Sequence, residues 1–187
     1  MLLINKIFSI FVIILFANTV QGIEVLGCER DACKTQFKNY KKFAKNGSPD
    51  AQEILANLYL NGYGVEANPS LAAKWFKKAA NQGQYGAKAS LAFMYIKGEG
   101  KPEDVDRGIK MLTSLANKKV NQASLQLGVL FAQGQFVAQD YLKAEQWLMD
   151  AISTGNKKAI MILALIYEHG LTGELKIADA KMLYQHI

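Results

Sequence analysis

The chain has 187 residues, half of them hydrophobic, and a formal net charge of +6. That length suffices for one domain with a sizeable core, and so mild a charge gives no indication of a nucleic-acid reader, which usually needs a concentrated basic face with a reading element. The only cysteines, Cys28 and Cys33, are not spaced as a CxxC pair, which argues against a thioredoxin-type redox role.

The N-terminus reads as a leader. Met1 to Ala17 holds a single charge, Lys6, followed by an apolar run from Ile7 to Ala17, too short for a comfortable membrane-spanning helix. Val20-Gln21-Gly22 places small residues before a cut, so residues 1–22 are expected to be a signal peptide and Ile23 the mature N-terminus. An uncleaved anchor is the competing reading. Val25-Leu26-Gly27-Cys28 resembles a lipoprotein cleavage box only superficially, because Glu24 interrupts it. Without residues 1–22 the chain holds 21 Lys+Arg and 16 Asp+Glu, a net charge of +5. Export to an oxidising compartment would join Cys28 to Cys33; two free thiols in a capping helix is the alternative.

Residues 23–47 are expected to form an N-terminal segment with one capping helix over Asp31 to Asn46. Cys33, Phe37, Tyr40 and Ala44 recur there at helical spacing, Asp31 can cap the start, and Gly47 ends it. From Ser48 onward the sequence repeats itself every 36 residues. Ala51, Ala87, Ala123 and Ala159 fall in step, as do Leu55, Leu91, Leu127 and Leu163. Tyr59, Tyr95, Phe131 and Tyr167 form an aromatic series, and Gly62, Gly98, Gly134 and Gly170 a glycine series. A fixed period of this size signals a helical solenoid. The repeats are placed at 48–83, 84–119, 120–155 and 156–187, and the capping helix stands one period before the second half of the first repeat.

In the first repeat, Ser48-Pro49 and Asn68-Pro69 each supply an N-cap followed by a first-turn proline. They predict a helix A over about Pro49–Leu60 and a helix B over about Pro69–Asn81. Ala51, Leu55, Leu58 and Tyr59 share one face of helix A; Ala72, Trp75, Phe76, Ala79 and Ala80 share one face of helix B. Gly62 is expected in the left-handed conformation that ends helix A. Trp75 and its counterpart Trp147 are expected in the core, where replacement by alanine costs roughly 3–5 kcal/mol. The second repeat keeps Ala87, Leu91, Met94, Tyr95 and the turn Gly98-Glu99-Gly100. Its helix B is degenerate, with Gly108, Met111 and Leu115 at the apolar positions and Lys119 in place of the closing glycine, and is expected to be the softest helix. The third repeat recovers Ala144, Trp147, Leu148, Ala151 and Gly155, although Phe136 replaces the second turn glycine. The fourth has Ala159, Leu163, Ala164, Tyr167 and Gly170, then Ala180, Leu183 and Tyr184. No polar capping helix follows it before Ile187, so its apolar end is expected to be uncapped.

A 36-residue unit with Ala, Leu, Tyr and Gly in helix A, and Ala, Trp and Ala-Ala-x-x-Gly in helix B, resembles the Sel-one-like repeat, a relative of the tetratricopeptide repeat. The resemblance covers Ser48 to Ile187 and the half unit before it. It implies an all-α solenoid, a right-handed superhelix of helix–turn–helix repeats, that scaffolds protein–protein contacts. Bacterial relatives are often exported and act in envelope or host-interaction processes. A cysteine-rich subgroup linked to β-lactam binding carries a cysteine pair in each repeat, which this chain lacks.

Catalytic and metal signatures are not expected. His169 and His186 do not combine with the cysteines at metal-ligand spacing, and His169 is read as helping to end the last helix A. No nucleophile elbow, phosphate-binding loop or HExxH occurs, and Gly62-Tyr63-Gly64 and Gly98-Glu99-Gly100 follow helices rather than strands. No cofactor is expected. Lys41-Lys42, Lys77-Lys78, Lys118-Lys119 and Lys157-Lys158 lie where one helix B meets the next helix A. They either complement helix dipoles or form a basic edge for weak contact with an anionic surface. By resemblance, helices A line a concave groove. Its candidate residues are Glu53, Asn57 and Asn61; Phe93, Ile96 and Lys97; Leu125, Val129 and Gln133; then Met161, Leu165, Glu168 and His169. Such a groove, polar at its start and apolar through its middle, suits a partner helix or extended peptide. The competing reading buries Phe93, Leu125 and Leu165 in a tightly wound solenoid. The expectation is a non-enzymatic, exported adaptor, periplasmic or secreted, with no nucleic-acid partner and no stable membrane insertion once the signal is removed. An envelope enzyme or a protein binding a small ligand, such as a cell-wall fragment or β-lactam, is the runner-up, and a host-interaction factor the third reading.

Overall fold

The computed structural model describes residues 30–173 and 175–185. The leader expected over 1–22, Ile23, Cys28, His186 and Ile187 lie outside them, as does the Asp31 side chain expected to cap the first helix. Among the described residues every regular element is a helix: α1 (Arg30–Lys45), α2 (Pro49–Asn61), α3 (Pro69–Asn81), α4 (Tyr85–Lys97), α5 (Val105–Ala116), α6 (Asn121–Gln133), α7 (Tyr141–Ser153), α8 (Lys157–Glu168) and α9 (Ile177–Tyr184). None is long and apolar enough to cross a membrane. Each packs against its neighbours in sequence, α1 on α2 through α8 on α9, as expected of a solenoid. The even-numbered helices are the A helices and the odd-numbered ones the B helices. α6 also reaches α8 directly, so the even layer is tightly wound there.

The sequence signals act locally as expected. Ser48 Oγ accepts from Ala51 N–H at 3.3 Å, and Asn68 Oδ1 accepts from Leu71 N–H at 2.9 Å. Asp104 and Asp140 cap α5 and α7 in the same way. Helix A ends on a left-handed glycine in the first three repeats, with φ of 74° at Gly62, 67° at Gly98 and 65° at Gly134. Beyond the turn, a second bond fixes the return of the chain. The backbone N–H of Asn68 donates to Tyr59 O, Asp104 to Tyr95 O, Asp140 to Phe131 O and Lys176 to Tyr167 O, at 2.7–3.2 Å. The aromatic series therefore marks a constant backbone clamp as well as a packing position.

Among the described residues three clusters form the core. The first joins α1 to α4 around Leu55, Phe76 and Met94, the second joins α4 to α6 around Ile96, Leu112 and Leu127, and the third joins α6 to α9 around Leu148, Leu163 and Ile166. α4 and α6 each present different faces to two clusters, which is why their sequences are apolar nearly all round. Within α3, Phe76 is fully buried, whereas Trp75 is half-buried with the Lys78 amine 4.2 Å from its ring centroid. In α7, Leu148 is the buried residue and Trp147 packs part-exposed against the middle cluster. The full core position expected for Trp75 and Trp147 thus belongs to their immediate neighbours, because each large pair straddles the boundary of the buried face.

The degenerate second repeat is repaired by contact. A Cβ on Gly108 would lie 2.4 Å from Ile96 Cγ1 and 2.7 Å from Ala92 O, so α5 approaches α4 closely there and Ile96 fills the space. Leu112, Leu115 and Ala116 are buried alongside. Lys119, which replaces the closing glycine, adopts that glycine's left-handed backbone at φ 60°.

Candidate functional site

The groove face expected on the even helices is partly closed. Leu125 and Val129 are 2% and 5% exposed and belong to the third core cluster, and Ile96 is fully buried against Gly108. These three expected groove residues are core residues. The competing reading holds for Leu125 alone of the three positions it named, since Phe93 and Leu165 remain half-buried. Leu125 and Val129 are closed off where α6 packs on α7 and reaches α8, and Ile96 where α4 packs on α5.

What remains on the face is more polar. Asn57 donates through Nδ2 to Glu53 O at 3.1 Å, and Asn61 donates to Asn57 O at 2.9 Å, so two amides ladder along α2. Both bonds use an amide N–H, so neither occupies the Oδ1 acceptor. Phe93, Gln133, Met161 and Leu165 are half-buried, and Lys97 is exposed beside Glu99 at 3.7 Å. At the far end, Glu168 accepts from the Tyr184 hydroxyl at 3.0 Å. His169 Nδ1 lies 2.9 Å from Leu165 O, which it can serve only as donor, and this fits its expected role at the end of α8.

Glu53 has a role its sequence position did not suggest. α4 lacks a side-chain cap of its own, since Gln84 makes no capping bond. The Glu53 carboxylate supplies one from the preceding helix A, accepting the Ala87 N–H. A Cβ on Gly86 would lie 2.3 Å from Glu53 Oε1, so the glycine makes room for it. Burial pushes the Glu53 carboxyl above the ordinary range, the Ala87 bond opposes that, and Asp50 adds to it. Beside this cap, Gln52 donates to Ala44 O at 3.2 Å and accepts from Gln82 at 2.7 Å, and Gln84 donates to Asp50.

Two charged clusters lie between later repeats. Asp150 on α7 accepts from Lys119 at 2.7 Å and from the buried Ser124 hydroxyl at 2.6 Å, which together hold its carboxyl below the usual range. Glu145, also on α7, accepts from the Tyr167 hydroxyl and from Lys176 at 3.1 Å. Burial, reinforced by Glu145, pushes the Tyr167 phenol far above its ordinary value. Lys176 stands where Asn68, Asp104 and Asp140 cap the other B helices; it makes no side-chain cap and pairs with Glu145 instead. Both clusters tie one repeat to the next.

The lysine pairs are largely engaged. Lys41 lies over Phe37, Lys78 over Trp75 and Lys118 over Tyr85, at 5.4, 4.2 and 5.2 Å from the ring centroids, and Lys119 holds Asp150. Among the described residues no group of His, Cys, Asp and Glu is placed to hold a metal ion.

Comparison with known proteins agrees with this architecture. The Sel1 repeat model matches residues 49–84, 87–120, 121–148 and 157–185. A protective antigen present in uropathogenic Escherichia coli strains, displaying an SLR fold, is 29% identical with a TM-score of 0.65, over 81% of this chain and 33% of that one. A Sel1 repeat protein from Oxalobacter formigenes is 25% identical with a TM-score of 0.66, over 95% of this chain and 66% of that one. The chain thus spans about a third of the first structure and just under two thirds of the second. No curated protein matches the sequence.

Proposed function

The chain belongs to the Sel1 repeat family, whose members are generally scaffolds for protein–protein contacts, and on that premise we propose that it is a non-enzymatic adaptor holding a peptide or partner helix along its even-helix face. The observation that carries this reading is the pairing of the Asn57–Asn61 amide ladder with half-buried Phe93, Met161 and Leu165 on one layer. Side-chain amide oxygens can accept backbone N–H groups of an extended chain, and half-buried apolar side chains give a partner area to cover. Export, with the first 22 residues removed and the product periplasmic or secreted, belongs to the same reading. So does a Cys28–Cys33 disulfide, supported by Cys33 not being a free thiol. The likeness to a protective antigen favours host contact as the setting over a small-ligand role.

The test is capture of partners from envelope and host-cell extracts by the protein and by a Phe93→Glu, Leu165→Glu variant. Both positions are half-buried, so circular dichroism must first show the variant folded. A partner held by the parent and released by the variant supports the groove. Equal capture by both moves the contact off this face.

A further inference from the structure

We propose that the odd-numbered helices form a second docking surface, directed at an anionic lipid bilayer. It lies on the layer opposite the amide ladder, and it stands or falls separately from the adaptor reading.

The positive charge is unevenly distributed. Residues 30–119 hold 16 Lys+Arg against 8 Asp+Glu, while residues 120–187 hold 5 against 6. Much of the excess lies on α1, α3 and α5. Lys38, Lys74 and Lys110 occupy the same register position one period apart, and all three are exposed. Lys42 and Lys45 on α1 and Lys77 on α3 are exposed as well. Among the described residues none of these six forms an ion pair, unlike Lys97, Lys119, Lys143 and Lys176, which do. α3 contains no carboxylate, α1 none after Asp31, and α5 only Asp106. A single-sign field left uncompensated by the protein's own carboxylates attracts an external anion.

The shape of the array selects the anion. Lys38 to Lys45 spans about 10 Å along α1 at the helical rise, and the row of Lys38, Lys74 and Lys110 runs across three helices. An acidic peptide would meet one row or the other, whereas lipid headgroups meet both. The same layer turns apolar in its later half. The register position of Lys38 is taken by Gln146 on α7 and Met182 on α9, and Leu142, Met149 and Met182 are 59%, 55% and 54% exposed. Amines set against phosphates beside apolar side chains at the acyl boundary is the composition of an interfacial surface.

The experiment is co-sedimentation of the full chain with phosphatidylcholine vesicles, with and without phosphatidylglycerol. The readout is the ratio of the two partition constants, so any contribution of the apolar run Ile7 to Ala17 to both cancels. The parent should prefer the anionic vesicles, and raising ionic strength until the Debye length falls to about 8 Å should erode the preference. A Lys38→Glu, Lys74→Glu, Lys110→Glu variant should lose it by at least on the order of 100-fold, at roughly fivefold for each lysine removed. All three side chains are exposed, so its circular dichroism should match the parent's. A Lys97→Glu, Lys157→Glu, Lys158→Glu variant, with the same change of charge placed on the even-numbered helices, should keep the preference. Equal partition of the parent, or an unchanged triple variant, overturns the proposal. Tighter binding of the parent to polyphosphate than to anionic vesicles at matched phosphate concentration also overturns it, in favour of a linear polyanion.

Discussion

Lys119 offers a measurement of backbone strain within one chain. At the turn from each helix B to the next helix A, Gly47, Gly83 and Gly155 take φ of 97°, 94° and 87°, and Lys119 holds the equivalent place at 60°. In all four turns the following N–H bonds a carbonyl five residues back: Ser48 to Phe43, Gln84 to Ala79, Val120 to Leu115, Asn156 to Ala151. The geometry is thus imposed by the turn, and a Cβ there costs about 1–2 kcal/mol. Glycine loses roughly 0.5–1 kcal/mol more chain entropy on folding. The Lys119–Asp150 pair has a lysine side chain 67% exposed, so it contributes about 0–1 kcal/mol. Lys119→Ala removes the pair and keeps the strain; Lys119→Gly removes both. The glycine variant should therefore exceed the alanine variant by about 0.5–1 kcal/mol in urea melts, or about 2–4 °C in Tm for each kcal/mol. Gly83→Ala, where a Cβ meets nothing within 4 Å, should lose a similar amount. If Lys119→Gly is no more stable than Lys119→Ala while Gly83→Ala is damaging, the strain assigned to Lys119 is wrong.

Phe76→Ala should cost about 3–5 kcal/mol and Trp75→Ala clearly less, because only Phe76 is fully buried; equal losses in denaturant melts would contradict the register of α3. Gly64→Ala should be more damaging than Gly83→Ala, since a Cβ on Gly64 would lie 2.3 Å from Cys33 O; parity between them would deny the close approach of that loop to α1. Glu53→Gln should raise stability relative to the parent above the ordinary carboxylate range. The folded pKa of Glu53 is raised, so the parent binds a proton more readily when folded and loses stability as pH climbs through that window. The advantage of the glutamine variant should shrink on acidification, and an advantage that grows instead would reverse the assigned shift.

What was legible in the sequence was what the backbone dictates at one residue. Gly62, Ser48-Pro49 and Asn68-Pro69 each answer to a local conformation or an orphan N–H, so their consequences need no knowledge of neighbouring repeats. Trp75 and Phe76 were harder, because adjacent positions on a helix differ by 100° and both fall within a broad apolar face. The groove was least legible. Whether Leu125 and Val129 line a surface or a core depends on how tightly α6 winds against α8, a relation set by several helices together. Gly108 looked like decay of the repeat, yet its missing Cβ is what admits Ile96. The cross-repeat cap from Glu53 left one trace, Gly86 in the first turn of α4, and that trace had no reading until Glu53 was seen beside it.

The sharing of α4 and α6 between core clusters bears on how the molecule comes apart. Removing α5 from its place would expose both the Ile96 side of α4 and the Leu127 side of α6, whereas loss of α9 would strip one edge of a single cluster. Opening should therefore proceed from the ends inward, in blocks of two or three helices. Hydrogen exchange should show amides of α4 and α6 outlasting those of α9. A contact made on the middle of the even face would then sit on the last block to melt, and one made on the terminal helices on the first.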